Sequence, residues 1–151
     1  RKYPMPRIFG LNIIAVLAST IALYFVGFLF YGVFFIDLWV GLHDFTDAQM
    51  HAANENMAIG MTYGFFLSLI TASFIGVALK RFGGDGMMPA IKGAVLLWAG
   101  FAATTLAYDV VYAMQPVMLF VLDAAHLLVG FVIVAIVQTV LDGVAVRSEY
   151  A

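Results

Sequence analysis

The chain has 151 residues, of which 64% are hydrophobic and 11% are charged, and its net charge is −2. A soluble domain has about a quarter charged residues, so a chain of this composition needs lipid to cover its apolar side chains. The few scattered basic residues indicate no nucleic-acid binding, and the lack of cysteine excludes disulfides, thiolate metal sites and Cys nucleophiles.

Four apolar segments divide the chain, and each reaches the ~20 residues with which a helix crosses a ~30 Å hydrocarbon core. They are Ile8–Ile36, Met57–Leu79, Ala90–Tyr112 and Val117–Leu141. The segments are continuous and lack the alternation typical of a membrane β-barrel. We therefore predict an all-α membrane protein, a four-transmembrane-helix antiparallel bundle that forms a single domain over residues 1–151.

The basic residues predict the orientation of these spans. All seven precede the first segment, lie around the connection between the second and the third, or follow the fourth: Arg1, Lys2, Arg7, Lys80, Arg81, Lys92 and Arg147. The connections Val40–Asn56 and Ala113–Pro116 contain no Lys or Arg. The positive-inside rule then places both termini in the cytoplasm.

The first segment is too long for a signal peptide, and we interpret it as a retained span. Gly27 and Gly32 offer places where it can bend or end, and Trp39 suits an anchor at the outer interface. Asn12 is its one strongly polar residue near the inner side. Because the chain starts at Arg1 and not at Met, we expect a missing or processed N-terminus.

The connection after the first span is acidic and contains two histidines. Thr46 and Gln49 have the spacing of a capping box, so we expect a helix to start there and to continue without a break into the second span. The ionisable residues of this connection are His43, Asp44, Asp47, His51 and Glu55. The favoured interpretation is a solvated helix face. A divalent-cation site is the alternative, although the spacing matches no standard metal motif.

A small residue occupies every fourth position of the second span: Gly60, Gly64, Ser68, Ala72 and Gly76. Such a groove lets another helix backbone approach closely. The third span has a complementary stripe of alanines at Ala99, Ala103 and Ala107. We expect these two spans to pack on each other.

The inner connection ends the second span with a glycine-rich turn, residues 83–86. It lacks the Gly-Lys-Ser/Thr ending of a phosphate-binding loop, so a helix cap followed by a turn is the better interpretation. Pro89 suits the first turn of the third span. We expect the fourth span to end at Asp142–Gly143.

Three ionisable residues lie inside the third and fourth spans, namely Asp109, Asp123 and His126. The two aspartates lie about seven residues on either side of the hairpin centre, so both should lie ~10 Å below the outer surface. Thr105 and Tyr112 share the helix face of Asp109 and extend this predicted polar seam.

The seam has two interpretations. It could be a proton or cation path, or a ligand pocket, open to the outer side, because ionisable groups inside a membrane are functional by default. Alternatively, it is a hydrogen-bonded knot that fixes helix register. No Lys or Arg lies on this half, so the partners available are His43, His51, His126, a bound cation or a shared proton. His126 as an axial ligand of haem or chlorin is a remote alternative, and the sequence requires no cofactor.

Short aromatic motifs carry a resemblance to a known family. They are Gly27-Phe28-Leu29-Phe30-Tyr31 with Phe35 and Trp39-Val40-Gly41, then Gly93, Leu97-Trp98, Gly100-Phe101 and Ala103-Thr104, then Gln115-Pro116 and Asp123. The chain resembles the bacterial integral-membrane "domain of unknown function" family number seventeen sixty-one. That resemblance implies four spans in a bacterial inner membrane and implies no activity.

The sequence lacks metalloprotease, nucleophile-elbow and dinucleotide motifs, so we expect no enzyme. The favoured function is a structural, accessory or assembly subunit that packs in a larger membrane complex or oligomer. The alternative is a proton, cation or small-solute transporter that uses the polar seam. Expected partners are membrane lipids and other membrane-protein subunits or further copies of the chain, with no nucleic acid.

Overall fold

The structure is a computed structural model that describes residues 6–82 and 85–150, with the backbone course alone for 143–150. Its elements in chain order are β1 (Arg7–Ile8), β2 (Leu11–Asn12), α1 (Ile13–Leu29), a first π-helical segment (Phe30–Phe34), α2 (Ile36–His43), α3 (Asp47–Glu55), α4 (Met57–Phe82), α5 (Met87–Leu97), a second π-helical segment (Trp98–Ala103), α6 (Thr104–Tyr112) and α7 (Val117–Tyr150). Arg1, Lys2, Gly83, Gly84 and the side chain of Arg147 lie outside the described residues.

Four helical segments are long and apolar enough to cross a membrane, which confirms the predicted number of spans. They are Ile13–Phe34, Met57–Phe82, Met87–Tyr112 and Val117–Asp142. We call the end of the molecule with Arg7, Lys80 and Lys92 the basic end. The end with α2, α3 and the hairpin after α6 is the acidic end.

The first span begins at Ile13, so the prediction of a helix from Ile8 was wrong. Arg7–Ile8 pairs with Leu11–Asn12 in an antiparallel hairpin. Its two-residue turn has positive φ at Phe9 (52°) and Gly10 (78°), the geometry that joins hairpin strands tightly. Asn12 then caps α1, because its side chain accepts a hydrogen bond from the Ile14 backbone N–H at 3.0 Å.

The span bends where the first π-helical segment contains Gly32. The backbone N–H of Phe35 donates to the Phe30 carbonyl, five residues earlier, at 2.9 Å. Phe35 itself leaves the helical region (φ −126°, ψ 20°), and α2 starts after it. A π turn widens the helix by one residue and therefore rotates the side chains that follow it. Of the two glycines, Gly32 lies in this π-helical segment shortly before the helix is interrupted at Phe35, while Gly27 stays in regular helix.

The capping box of Thr46 and Gln49 is confirmed, and both of its reciprocal hydrogen bonds are formed. The predicted unbroken helix from there into the second span was wrong, because α3 ends at Glu55 and Asn56 has φ −102° and ψ 16°. The Asn56 amide group donates to the Ala52 carbonyl at 2.8 Å. Asn side chains compete with the backbone in this way and interrupt helices.

The start of the third span and the end of the fourth can be compared with their predicted positions. Gly86 precedes α5 with φ 104°, and Pro89 lies in the first turn, as predicted. The fourth span extends to Asp142, in agreement with its predicted end, although the helix α7 continues beyond it to Tyr150. Asp142 stays within the helix, where its carboxylate pairs with the Lys80 ammonium at 2.7 Å.

The last helix is the centre of the packing and contacts α1, α4 and α5. Leu23, Ala72, Ile75 and Val134 form one buried cluster where α1, α4 and α7 meet. Gln138 on α7 is buried beside this cluster. Its amide nitrogen donates to Ser19 Oγ on α1 at 3.0 Å and to the Ala72 carbonyl on α4 at 2.8 Å. One side chain therefore joins three spans.

The small-residue groove of α4 faces α1 and α7, and the expected packing on the alanine stripe of the third span is not formed. A Cβ at Gly64 would lie 3.5 Å from the Tyr24 ring of α1, and one at Gly76 would lie 2.1 Å from Gln138 Oε1. Ala99 of the stripe is exposed. The third span instead meets α4 through α5, where Leu79 lies against Gly93.

Gly76→Ala tests this close approach. The added methyl group would overlap Gln138 Oε1, and relieving the overlap would disturb both hydrogen bonds of Gln138. We expect the unfolding free energy in detergent to fall by about 1–3 kcal/mol, as for other overpacked cores. Gly60→Ala is the matched control, because a Cβ there meets nothing within 4 Å. Equal thermal denaturation midpoints for the two variants would contradict the described packing.

Candidate functional site

Asp109 and Asp123 line one pocket at the acidic end. Asp109 comes from α6 and Asp123 from α7, and His43 from the end of α2 is the third ionisable group of the lining. The pocket has a volume of about 280 Å³. Gln115 of the hairpin contributes its amide, and the remaining lining is mainly apolar. The pocket contains no Lys or Arg side chain.

Asp123 is held by a tyrosine from the first span. The Tyr31 hydroxyl donates to Asp123 Oδ1 at 2.6 Å, a short bond of the charge-assisted kind. Tyr31 lies in the first π-helical segment, which directs its ring towards α7. The half-buried carboxylate thus has a fixed donor on one side and the pocket on the other.

His126 lies one turn further along α7 and packs against the same tyrosine. The ring centroids of Tyr31 and His126 are 4.9 Å apart in an edge-on arrangement. His126 Nε2 is buried and has no hydrogen-bond partner among the described residues. A Cβ at Gly27 would lie 3.3 Å from this nitrogen, so α1 covers it. In this conformation Nε2 is therefore not accessible to the metal of a haem or chlorin.

An aromatic series extends from Tyr31 to the acidic end. Tyr31 contacts Trp39 with centroids 5.8 Å apart, and Trp39 contacts His43 at 4.5 Å. The His43 ring stacks on Phe45, with an interplanar angle of 9°. His43 Nδ1 donates to the Trp39 carbonyl at 2.7 Å, so a neutral imidazole keeps its lone pair on Nε2.

Two predicted members of the polar seam lie elsewhere. Thr105 is exposed, and its hydroxyl donates to the Phe101 carbonyl of its own helix at 2.6 Å. Tyr112 is 78% exposed and stacks on Tyr108. Neither residue lines the pocket. All three residues lie in α6, with Thr105 one turn from Asp109 towards the basic end and Tyr112 at the end of the helix, so a shared helix face does not by itself bring Thr105 or Tyr112 to the pocket.

The acidic connection divides into separate parts. Asp44 terminates α2 in the left-handed conformation (φ 47°), and Asp47 lies in the first turn of α3. His51 and Glu55 form an exposed pair on α3, with Nδ1 and Oε1 3.6 Å apart. Across the described ranges, no three His, Asp or Glu side chains are grouped closely enough to hold a metal ion. Only His43 of this set reaches the pocket.

Sequence reasoning did not identify Tyr31 as the partner of Asp123, although it singled out Tyr31 as part of an aromatic motif. It placed His43 in the acidic connection and gave it, with His51 and His126, as a possible partner of the two aspartates, and His43 is the one of the three that lines their pocket. Gly32 was the available signal, because a bend there changes the direction of the aromatic residues around it. The interhelical role of Gln138 was not predicted, and the only sequence feature that could have indicated it is a lone amide in a long apolar segment.

Residues 14–139 match the family described as "Protein of unknown function (DUF1761)". The chain belongs to this family. No curated protein and no solved structure matches the chain. The resemblance noted from the sequence is therefore confirmed.

In this DUF1761 protein, residues of the aromatic motifs meet around one stretch of α7. Tyr31 contacts Asp123, and Trp98 Nε1 donates to the carbonyl of the next residue, Ala124, at 2.8 Å. Trp39 packs on Tyr31 from the acidic end. The motifs come from different spans, and they converge beside the pocket.

Tyr31→Phe tests the hydrogen bond that holds Asp123. The variant keeps the ring and removes the hydroxyl, which leaves a half-buried carboxylate without its donor. We expect a loss of about 1–3 kcal/mol in the unfolding free energy, measured by thermal denaturation in detergent. Tyr112→Phe removes an exposed hydroxyl and should change nothing. A greater loss of unfolding free energy for Tyr112→Phe than for Tyr31→Phe would contradict this description. It would indicate that Tyr112, and not Tyr31, belongs to the polar seam.

Proposed function

We propose that the protein binds a proton or a hydrated cation in the pocket of Asp109, Asp123 and His43, from the outer side of a bacterial inner membrane. The observation that carries this proposal is that carboxylates from two helices line one pocket that contains no Lys or Arg side chain. The positive-inside pattern supports an outer location for the acidic end and a cytoplasmic location for both termini, in an antiparallel bundle.

The charge in the pocket supports a positively charged ligand. Two carboxylates that face the same small cavity repel each other, and a shared proton or a bound cation relieves this repulsion. Neither carboxylate has a Lys or Arg side chain in the pocket lining with which to form an ion pair. A bare metal ion fits less well, because no three acidic or His side chains within the described ranges are grouped to coordinate one.

The packing between the pocket and the basic end supports entry of a ligand into the pocket from the acidic end alone in this conformation. Between the pocket and the basic end lie the buried cluster around Val134 and the hydrogen bonds of Gln138. A transporter would have to open this layer in a second state, as alternating-access proteins do. Binding at the pocket is the first step of that process, and we propose no enzymatic reaction.

The test compares pH profiles of thermal stability in detergent from about pH 4 to about pH 8. A pocket that keeps a proton when folded and releases it when unfolded loses stability as the pH rises. We expect the parent to show this fall and Asp109→Asn to show a shallower one, because one carboxylate remains without a repelling neighbour. Asp47→Asn, on the first turn of α3, should parallel the parent.

If the pocket binds a cation, the thermal stability of the same samples should also depend on salt. At the high-pH end, added NaCl should restore the stability of the parent more than that of Asp109→Asn. Parallel profiles for the parent and Asp109→Asn, with equal responses to salt, would reject both the proton and the cation. The two aspartates that line the pocket would then have no role in binding a proton or a cation.

A second candidate is the accessory or assembly role, and the third span favours it. In the apolar part of the third span only 6% of the residues are buried within the chain, compared with 28% for the first and the fourth spans. Its exposed surface includes Leu96, Phe101 and Val111. A span that packs so little on its own chain has a large surface available for another subunit or a second copy.

Purification from native membranes in a mild detergent tests this role. We expect the parent to elute with a stable partner, and Gly100→Leu to lose it, because a Cβ at Gly100 projects from the third span into open space. Gly60→Leu is the matched control on α4, since its surroundings are equally open. A monodisperse parent monomer, or equal losses for both variants, would count against a partner on the third span.

A further inference from the structure

An apolar groove opens beside the basic end, on the opposite half of the molecule from the pocket. Its walls are the N-terminal hairpin, the start of α1 and the second half of α4, and its volume is about 590 Å³. Its lining is Ile8, Phe9, Leu11, Ile13, Val16, Leu17, Leu69, Ser73, Phe74, Val77 and Arg81. Arg81 is therefore the one charged side chain of the lining.

The two polar side chains of the groove differ in whether they already have a bonding partner within the protein. The Ser73 hydroxyl donates to the Leu69 carbonyl of its own helix at 2.7 Å and is occupied. Arg81 takes part in no ion pair within the described part of the chain. The groove thus combines an apolar interior with one available guanidinium group.

Two neighbouring cations, Arg7 and Lys80, share the carboxylate of Asp142, whereas Arg81 has no carboxylate partner within the described residues. Lys80 Nζ lies 2.7 Å from Asp142 Oδ2 and also donates to the Gly10 carbonyl. Arg7 lies 3.9 Å from the other oxygen of Asp142 and donates to the same carbonyl. These contacts attach the hairpin, which forms one wall of the groove, to α4 and α7.

The length of the groove matches one membrane leaflet. On α4 its lining runs from Leu69 to Arg81, and these two residues are ~18 Å apart along the helix axis at ~1.5 Å per residue. One leaflet of hydrocarbon is ~15 Å deep, half of the ~30 Å core. An acyl chain that lies along the groove would therefore reach from the bilayer centre to the level of Arg81.

We propose that this groove binds an anionic phospholipid, with one acyl chain along the hairpin and α4 and with the phosphate on Arg81. Arg81 supplies the charge complementarity, because it is the one charged side chain of the lining and takes part in no ion pair within the described part of the chain. Arg pairs with phosphate oxygens through two parallel N–H groups, which fixes the headgroup at the groove entrance. Phe9, which is 89% exposed on the hairpin turn, would cover the start of the chain from the side.

The experiment is native mass spectrometry of the full chain in detergent, mixed with equal amounts of phosphatidylglycerol and phosphatidylcholine that carry the same acyl chains. We expect the parent to retain one phosphatidylglycerol in preference. Arg81→Gln should lower that preference about fivefold, since a basic residue near the surface contributes about 1 kcal/mol to binding of anionic lipid. Lys92→Gln removes an exposed charge from the same end but outside the groove, and it should keep the preference.

A second pair of variants tests the groove itself. Leu17→Trp and Val77→Trp add volume to opposite walls while Arg81 remains, so each should lower the retention of phosphatidylglycerol. Folding of every variant is checked by its thermal denaturation profile. Equal preference in the parent and Arg81→Gln would overturn the proposal. So would an equal loss in Lys92→Gln, unchanged retention in both Trp variants, or displacement of the lipid by inorganic phosphate alone.

Discussion

The two hydrogen bonds of the Gln138 amide determine how three of the four spans are arranged. No water is available inside the hydrocarbon region, so a buried amide has to find its partners within the protein. Gln138 finds one on α1 and one on α4, and Gly76 leaves the space in which the side chain lies. A shift of any of these helices by one residue would break at least one bond. The register of the bundle is therefore fixed near the basic end.

That register has a consequence at the acidic end. Tyr31 can meet Asp123 only when α1 and α7 keep the alignment that Ser19 and Gln138 impose. The two π-helical segments then complete the geometry from both sides of α7. The first presents Tyr31 to Asp123, and the second begins at Trp98, which donates to the adjacent residue Ala124. Both departures from regular helix thus lie beside the candidate site. Short π-helical segments are frequent at functional sites in proteins.

Sequence reasoning predicted the features that depend on composition or on short spacing. The four spans follow from apolar length, and the cap at Thr46 follows from a residue three positions later. The break at Asn56 was missed because it results from a side chain competing with the backbone, which a helical pattern does not reveal. The helix start was misplaced for a similar reason, since Asn12 was treated as a polar residue within a span and is in fact its cap.

The site was predicted less completely because its contacts are remote in sequence. Spacing within the last two spans placed Asp109 and Asp123 at one level, and both line one pocket. The partner of Asp123 is 92 residues away and lies in a π turn, so no periodic pattern could identify it. The same limit applies to the groove of α4, because small residues predict close packing but do not specify which helix approaches.

The contact between Trp39 and His43 gives the molecule an intrinsic optical probe. The chain contains two tryptophans, and their surroundings differ. Trp98 is fixed to a backbone carbonyl, whereas the Trp39 ring lies 4.5 Å from an imidazole that lines the pocket. A protonated imidazole at this distance quenches indole emission, and a neutral one does so much less. We therefore expect the fluorescence of Trp39 to respond to a charge placed at the pocket beside it, without any label attached to the protein.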